Sequence, residues 1–355
     1  MHKLPKLLKW VSIFFITFMV FILTQIPLHV LGSVADSTPQ SYLPVILKQS
    51  TTTPDVTLTA TANPTSTASP TSTPTTSVTP PDEWLAYVNW LRSLGGLPAV
   101  TENAEWSYGD WLHARYMVKN DYIGHDEDSN NPWFSVEGAQ AAASSDAMVS
   151  GDLNTTDIEA IDMWMSGPFH GLGIIDPALT ATGFGSYREA DGGWEMGACL
   201  DVIRGLGSIP PSITFPLFWP GDSGTMPYTS FNGGEWPDPL SSCSGYTIPS
   251  GPPIYLQIGS SNQVPSVSAH SFQQAGSPLD HCVFDETNYS NPDSNAQNRG
   301  RAVLNMRDAI VLMPRNPLIS GLTYTVSITN GGTMYTWSFT VTGTLKHYGT
   351  NTEIR

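Results

Sequence analysis

Residues 51–81 constrain this 355-residue chain most strongly, because they consist almost entirely of Thr, Ser, Pro and Ala with a single charged residue, Asp55. Such a segment cannot bury enough apolar surface to offset the entropy of the chain, so we expect it to stay extended and mobile. Regular apolar spacing begins only at Asp82. We therefore interpret residues 36–81 as a disordered stalk, or linker, that precedes the folded part.

The N-terminal segment has the pattern of an export signal. Three lysines precede an apolar run that starts at Trp10, and small residues follow within residues 32–35. This order predicts a signal peptide over residues 1–35. The alternative is a retained anchor, because residues 10–31 approach the roughly 20 residues that span a bilayer and would tether the chain to the membrane. In both cases the rest of the chain is outside the cytoplasm, so we expect a secreted or extracellular protein.

Charge and cysteine content exclude several classes of function. The formal net charge is −16, which repels nucleic-acid phosphates, so no nucleic-acid partner is expected. The three cysteines are Cys199, Cys243 and Cys282, and no Cys-x-x-Cys pair occurs. A thiolate zinc site or a redox motif is therefore not predicted. One disulfide at most can form, the sequence leaves open which two cysteines pair, and three buried thiols are the alternative.

Helical spacing followed by strand-forming segments predicts an α+β domain over residues 82–207. The predicted helices span residues 84–94, 104–119 and 156–165, and the predicted strands span residues 180–187 and 194–202. Gly95-Gly96 ends the first helix and Gly167-Pro168 ends the third, because proline cannot donate to the helix ladder.

The remaining sequence predicts a second, all-β region. Residues 208–251 are rich in Pro, Gly and Ser and are interpreted as an irregular connector. Short β-favouring segments then recur over residues 252–345, which predicts a β-sandwich. Residues 346–355 are interpreted as a tail.

Several short motifs occur in the first region in a recognisable order. They are His113-Ala114, His125, Glu137-Gly138, residues 164–170 (WMSGPFH) and residues 182–185 (TGFG). This series resembles the bacterial branch of the CAP superfamily (cysteine-rich secretory, antigen 5 and pathogenesis-related proteins). The resemblance implies an α-β-α sandwich. The closing segments of the β region, within residues 310–340, resemble those of bacterial immunoglobulin-like (Ig-like) domains.

The CAP resemblance also implies a site. The site of two histidines and two glutamates known from the family reduces here to His125, Glu137 and His170, because Gly167 stands where the eukaryotic branch has its second glutamate. Two imidazoles and a carboxylate suit Zn²⁺ or another divalent cation, so these three residues are the predicted metal ligands and the candidate catalytic residues. His113 is expected to be a packed, hydrogen-bonded residue. The Asp126-Glu127-Asp128 loop is expected to be solvated, with a substitute carboxylate ligand as the alternative.

Three functions remain open at this point. The first is binding of an extracellular ligand or a divalent ion without turnover. The second is a metal-dependent hydrolase, most plausibly a peptidase, in which the metal would lower the pKa of a bound water. The third is carriage of a lipid or sterol-type molecule, which needs an apolar groove that the loop tryptophans Trp133, Trp219 and Trp236 could line. The sequence determines neither the ligand nor the oligomeric state.

Overall fold

The computed structural model describes residues 80–190, 192–343 and 352–355, all within the compact unit Thr71–Arg355. The predicted signal or anchor, nearly all of the predicted stalk and residues 344–351 lie outside the described residues. Within the described ranges, no helix combines the length and the apolar character needed to cross a membrane.

The first half of the described chain alternates helices with short strands. Its helices are α1 (Trp84–Ser93), α2 (Ala104–Lys119), α3 (Val136–Ala142), α4 (Asp157–Ser166) and α5 (Pro168–Ile174). Its strands are β1 (Thr101–Glu102), β2 (Ser145–Ser150), β3 (Ala181–Thr182), β4 (Phe184–Arg188) and β5 (Met196–Asp201). Strands β2, β5 and β4 form an antiparallel sheet in that order, and β1 pairs with β3 in parallel.

Helix boundaries follow from local capping. The Asn103 side chain accepts hydrogen bonds from the first turn of α2, and Thr156 forms a capping box with Glu159 at the start of α4. Pro168 occupies the first turn of α5, where its missing N–H has no helical partner to lose.

The sheet is covered on both faces, which gives three layers. Because side chains alternate along a strand, Ala147, Val149 and Cys199 face one side, where Ala114 and Met117 of α2 pack against them. The opposite face carries Met148, Ala198 and Leu200, which join a second core with residues of α1, α4 and α5. This is the α-β-α layering that the resemblance implied.

The second half consists of two sheets and one further helix. Its elements are β6 (Leu217–Trp219), β7 (Gly224–Met226), a 3₁₀ turn (Pro239–Ser242), β8 (Ile254–Gln257), β9 (Val267–Gln274), β10 (Ser277–Pro278), β11 (His281–Phe284), α6 (Ser294–Asn305), β12 (Ala309–Pro314), β13 (Thr323–Asn330) and β14 (Thr333–Val341). One sheet has the order β11-β12-β8-β6, and the other has the order β10-β9-β13-β14-β7. Ring contacts such as Phe218 to Trp337, with centroids 4.7 Å apart, link the two sheets.

The predicted connector differs from the structure. Residues 208–251 contain β6 and β7, which pair with β8 and β14 and so form the edges of the two sheets. Prolines at 216 and 220 flank β6, and an edge strand tolerates them because one of its sides needs no backbone donors. The β region therefore begins before residue 252.

The end of the chain also differs from the prediction, because residues 352–354 are not a tail. They form β15 (Thr352–Ile354), which pairs antiparallel with β2 and extends the first sheet. The cost of leaving the β2 edge unpaired within a folded protein explains why the chain returns to it.

The two halves share one continuous apolar core. That cluster runs from α1 through the first sheet into both sheets of the β region. Buried Asp162 of α4 accepts hydrogen bonds from Tyr87 and from Tyr228, which belong to different halves. Cys243 and Cys282 form a disulfide, which resolves the pairing that the sequence left open, and Cys199 is a buried free thiol.

Candidate functional site

His125 and His170 line the same cavity, which has a volume of about 190 Å³. His125 lies at the exposed rim, in the loop after α2, and His170 lies buried in the first turn of α5. The other lining residues are Ala143, Ser144, Ser145, Asp146, Phe169, Val202, Ile203, Trp236, Pro237, Arg299, Val303 and Arg355. The structure thus brings both predicted histidines to one cavity.

Glu137 does not line this cavity, and this corrects the predicted ligand set. Ser135 caps α3 by accepting a hydrogen bond from Gly138 N, so Glu137 falls in the first helical turn, where it is exposed to solvent. A carboxylate in that position is stabilised by the helix dipole. The identity of Glu137 is therefore explained by helix formation rather than by the cavity.

The carboxylate next to His170 is instead Glu235, which the sequence reasoning missed. Its Oε1 accepts hydrogen bonds from His170 Nδ1 at 3.0 Å, from Phe169 N at 2.8 Å and from His170 N at 3.1 Å. Glu235 is buried, and it also completes the N-terminus of α5, where Gly167 offers no capping side chain. A Cβ atom at Gly167 would lie 2.6 Å from the Glu235 carboxyl carbon, so glycine at this position leaves room for the incoming glutamate.

A second imidazole–carboxylate pair lies beside α2. His113 Nδ1 is 2.9 Å from Glu127 Oε1, and His113 Nε2 is 3.0 Å from the Gly124 carbonyl oxygen. Both side chains are fully buried. His113 is therefore packed and hydrogen-bonded, as expected. Its partner Glu127 belongs to the Asp126-Glu127-Asp128 loop, and the expectation that this loop is solvated is wrong for Glu127.

The pKa values of the titratable side chains at the cavity differ from those of free side chains. Burial opposes the charged form of His170, but the hydrogen bond to Glu235 and the nearby Asp146 charge outweigh it, so the pKa of His170 is raised. Burial raises the pKa of Glu235, against the effect of its bond to His170. Burial also raises the pKa of Asp146 to about 7.

The pKa of His125 is shifted in the opposite direction from that of His170. Neighbouring protein atoms displace water from its ring and, together with the positive charge of His170, lower the pKa of His125 to about 4. Its Nδ1 lies 3.0 Å from the Ala142 carbonyl oxygen, which fixes the orientation of the ring. The cavity therefore contains one imidazole with a lowered pKa and one that is bonded to a carboxylate.

These residues do not fit a divalent metal. Across residues 80–190, 192–343 and 352–355, no group of three or more His, Cys, Asp and Glu side chains has the arrangement needed to hold one. Of the three predicted ligands, His125 and His170 line the cavity and Glu137 does not. We therefore derive no step through a metal.

The loop tryptophans do not form one groove. Trp219 is buried and donates from Nε1 to the Leu91 carbonyl oxygen at 2.9 Å. Trp133 lies under the cationic groups of Arg115 and Lys119. Trp236 lines the cavity, where the Arg355 guanidinium lies over its ring at 5.3 Å.

Comparison with known proteins supports the resemblance drawn from the motifs. The sequence profile of the Cysteine-rich secretory protein family, CAP, matches residues 85–199. Residues 85–199 form a CAP domain. Among solved structures, the chain is similar to an extracellular protein containing a SCP domain from Bacillus anthracis str. Ames, with 17% identity and a TM-score of 0.27. That match covers 34% of this chain and spans 39% of the other protein. A search of curated protein sequences found no significant match.

The CAP domain does not build its cavity alone. Ser145, Asp146, His125 and His170 belong to the domain, whereas Glu235 and the wall residues Trp236, Arg299 and Arg355 come from outside residues 85–199. Glu235 occupies the space next to Gly167, the position at which the family's eukaryotic branch has its second glutamate. A carboxylate beside Gly167 thus comes from outside residues 85–199.

The hydrogen bonds of the lining side chains define the groups that the cavity offers to a ligand. His170 Nδ1 is bonded to Glu235 Oε1, so that nitrogen is not open to a ligand. Ser145 Oγ donates a 2.6 Å hydrogen bond to Asp110 Oδ1 rather than to a histidine, so it is not activated as a nucleophile. The cavity offers apolar walls, fixed charges and a neutral imidazole.

Proposed function

We propose that this chain is an extracytoplasmic CAP-domain protein that holds a small ligand in the cavity lined by His125 and His170 without converting it. The observation that carries this proposal is that the CAP domain and the β region both contribute walls to one cavity. Segments from both regions therefore meet at the cavity, and no metal or activated nucleophile is needed to account for its residues. Its volume of about 190 Å³ equals that of roughly six water molecules, at about 30 Å³ each in the liquid, so the ligand is a small compound.

Two features support the extracytoplasmic location. The N-terminal 35 residues have the order of charged, apolar and small residues typical of an export signal. The Cys243–Cys282 disulfide is a bond that persists in oxidising compartments. Retention of residues 10–31 as an anchor would place the protein at the cell surface instead of releasing it.

We further propose that the β region is an Ig-like sandwich that acts as a structural support for the cavity. Its sheets of four and five strands, with β6 and β7 at the edges of opposite sheets, are similar in order to those of Ig-like domains. In this role it delivers Glu235 and α6 to the CAP domain.

The test is a thermal-shift screen of small compounds against the secreted protein. Ile203→Trp would fill the cavity from a partly exposed wall position, and Val264→Trp, at an exposed site, is the matched control. We expect compounds that stabilise the wild type and Val264→Trp but not Ile203→Trp, and NMR should recover them unchanged after a day. Absence of any stabilising compound, or chemical conversion of one, would overturn the proposal.

A further inference from the structure

Two guanidinium groups at the cavity are not neutralised by the protein. Within the described residues, the side chains of Arg299 and Arg355 form no ion pair or hydrogen bond. By contrast, Arg188, Arg204 and Arg307 each pair with an aspartate. In a chain of net charge −16, two arginines left without carboxylates at one cavity indicate a place for an external anion.

Their positions keep the guanidinium groups available to a ligand. Arg355 lies over the face of Trp236, which orients the planar group while leaving its N–H edge free to donate. Arg299 extends from α6 and is exposed. Its helix packs closely against the CAP domain, because Gly300 lies where a Cβ atom would come within 3.1 Å of Phe169.

The carboxylates of the site do not cancel this positive charge. Glu235 is bonded to His170, and its Oε2 is sealed from solvent. Asp146 Oδ2 is likewise sealed from solvent. The charge that a ligand can reach is therefore that of the two arginines.

The rest of the wall is apolar. Phe169, Val202, Ile203 and Val303 line the cavity beside the Trp236 ring. An inorganic anion would leave these apolar side chains exposed to water, whereas the hydrocarbon part of an organic acid would pack against them.

We propose that the cavity binds a small organic carboxylate, with its carboxylate held by Arg299 and Arg355 and its apolar part against Phe169 and Val303. This inference rests on the proposed ligand-binding function and specifies its ligand class. Both arginines lie outside residues 85–199, so segments beyond the CAP domain determine the selectivity of the cavity.

The experiment compares benzoate with benzamide by calorimetry on the full secreted protein. The two probes have nearly the same shape and differ in charge. We expect benzoate to bind at least about tenfold more tightly, because charge-assisted bonds from arginine are about twice as strong as neutral ones. Arg299→Gln and Arg355→Gln should each weaken benzoate binding by about five- to tenfold and leave benzamide unchanged. Arg315→Gln, a surface arginine away from the cavity, is the matched control and should alter neither.

The outcomes separate the inference from the function on which it rests. Equal affinity for the two probes, or benzoate binding that is insensitive to both arginine variants, would overturn the carboxylate inference and leave ligand binding intact. Inorganic phosphate that binds more tightly than benzoate would overturn the assignment of an apolar carboxylate. Failure of both probes and of every neutral compound in the thermal-shift screen would overturn the proposed function as well.

Discussion

The two buried imidazole–carboxylate pairs of this protein have nearly the same geometry and different origins. His113 and Glu127 are 14 residues apart, with a nitrogen–oxygen distance of 2.9 Å, and both lie within the CAP domain. His170 and Glu235 are 65 residues apart, with a distance of 3.0 Å, and the glutamate comes from beyond the domain. The same chemical unit thus stabilises one loop in the first case and joins two halves of the molecule in the second.

The two pairs differ in the other hydrogen bonds that each glutamate accepts. Glu127 Oε2 accepts a bond from Ser135 N, and His113 keeps a second partner in the Gly124 carbonyl oxygen. Glu235 accepts two backbone N–H groups at the start of α5, which has no side-chain cap of its own. We therefore expect the distant pair to be the more costly one to break.

Glu235→Ala should cause the largest loss. It leaves the buried His170 ring and two backbone N–H groups without their acceptor, and removing one partner of a buried pair costs about 3–5 kcal/mol. Urea unfolding at pH 7 measures the change. Glu235→Gln is the matched control, because its amide oxygen can still accept the backbone N–H groups, and it should lose less. A loss below about 1 kcal/mol for the alanine variant would show that the pair does not join the two halves.

Glu127→Ala should cost less, about 1.5–3 kcal/mol, which is the range for a hydrogen bond to a charged group. His113 can still donate to Gly124, so its ring is not left entirely without a partner. The same urea titration applies, with Glu127→Gln as the control. A larger loss of stability for Glu127→Ala than for Glu235→Ala would contradict the expectation that the His170–Glu235 pair is the more costly one to break.

The pH response should distinguish the two histidines of the cavity. The raised pKa of His170 means that its contribution to stability is present below about pH 6.5 and is lost as pH rises through the raised value. The lowered pKa of His125 has the opposite sign, so its contribution is present above about pH 6.5 and is lost as pH falls towards 4. NMR titration of the imidazole Hε1 signals should show both directions. Glu235→Gln should bring the pKa of His170 down, because the Glu235 charge no longer opposes the effect of burial, and an unchanged value would contradict the role assigned to Glu235.

Glu137→Ala should have the smallest effect. Glu137 is an exposed first-turn carboxylate, so its loss should cost no more than about 0.5–1 kcal/mol through the helix dipole. Ligand binding at the cavity, measured with benzoate, should be unchanged. A change in benzoate binding would show that Glu137 contributes to the cavity, although it is not among the lining residues.

The sequence by itself determined the elements that depend on local spacing and capping. Residues 104–119 were predicted as a helix and form α2 with those bounds, because the cap at Asn103 and the helical spacing are both local signals. The motif order was also sufficient to place His125 and His170 at one cavity within a CAP domain. Helix α6 was not predicted, because the residues that it buries include the small Ala296 and Gly300 in an otherwise polar segment.

Only the tertiary structure decided which carboxylate meets His170 and which cations face the cavity. Glu235, Arg299 and Arg355 lie in three separate segments, and no spacing within any one of them indicates that they converge. The sequence did contain one sign of this, the glycine at 167, but a missing side chain does not show what fills its place. Burial supplies the reason, since a carboxylate sealed from water requires donors, and only the packing of the β region against α5 brings Glu235 to them.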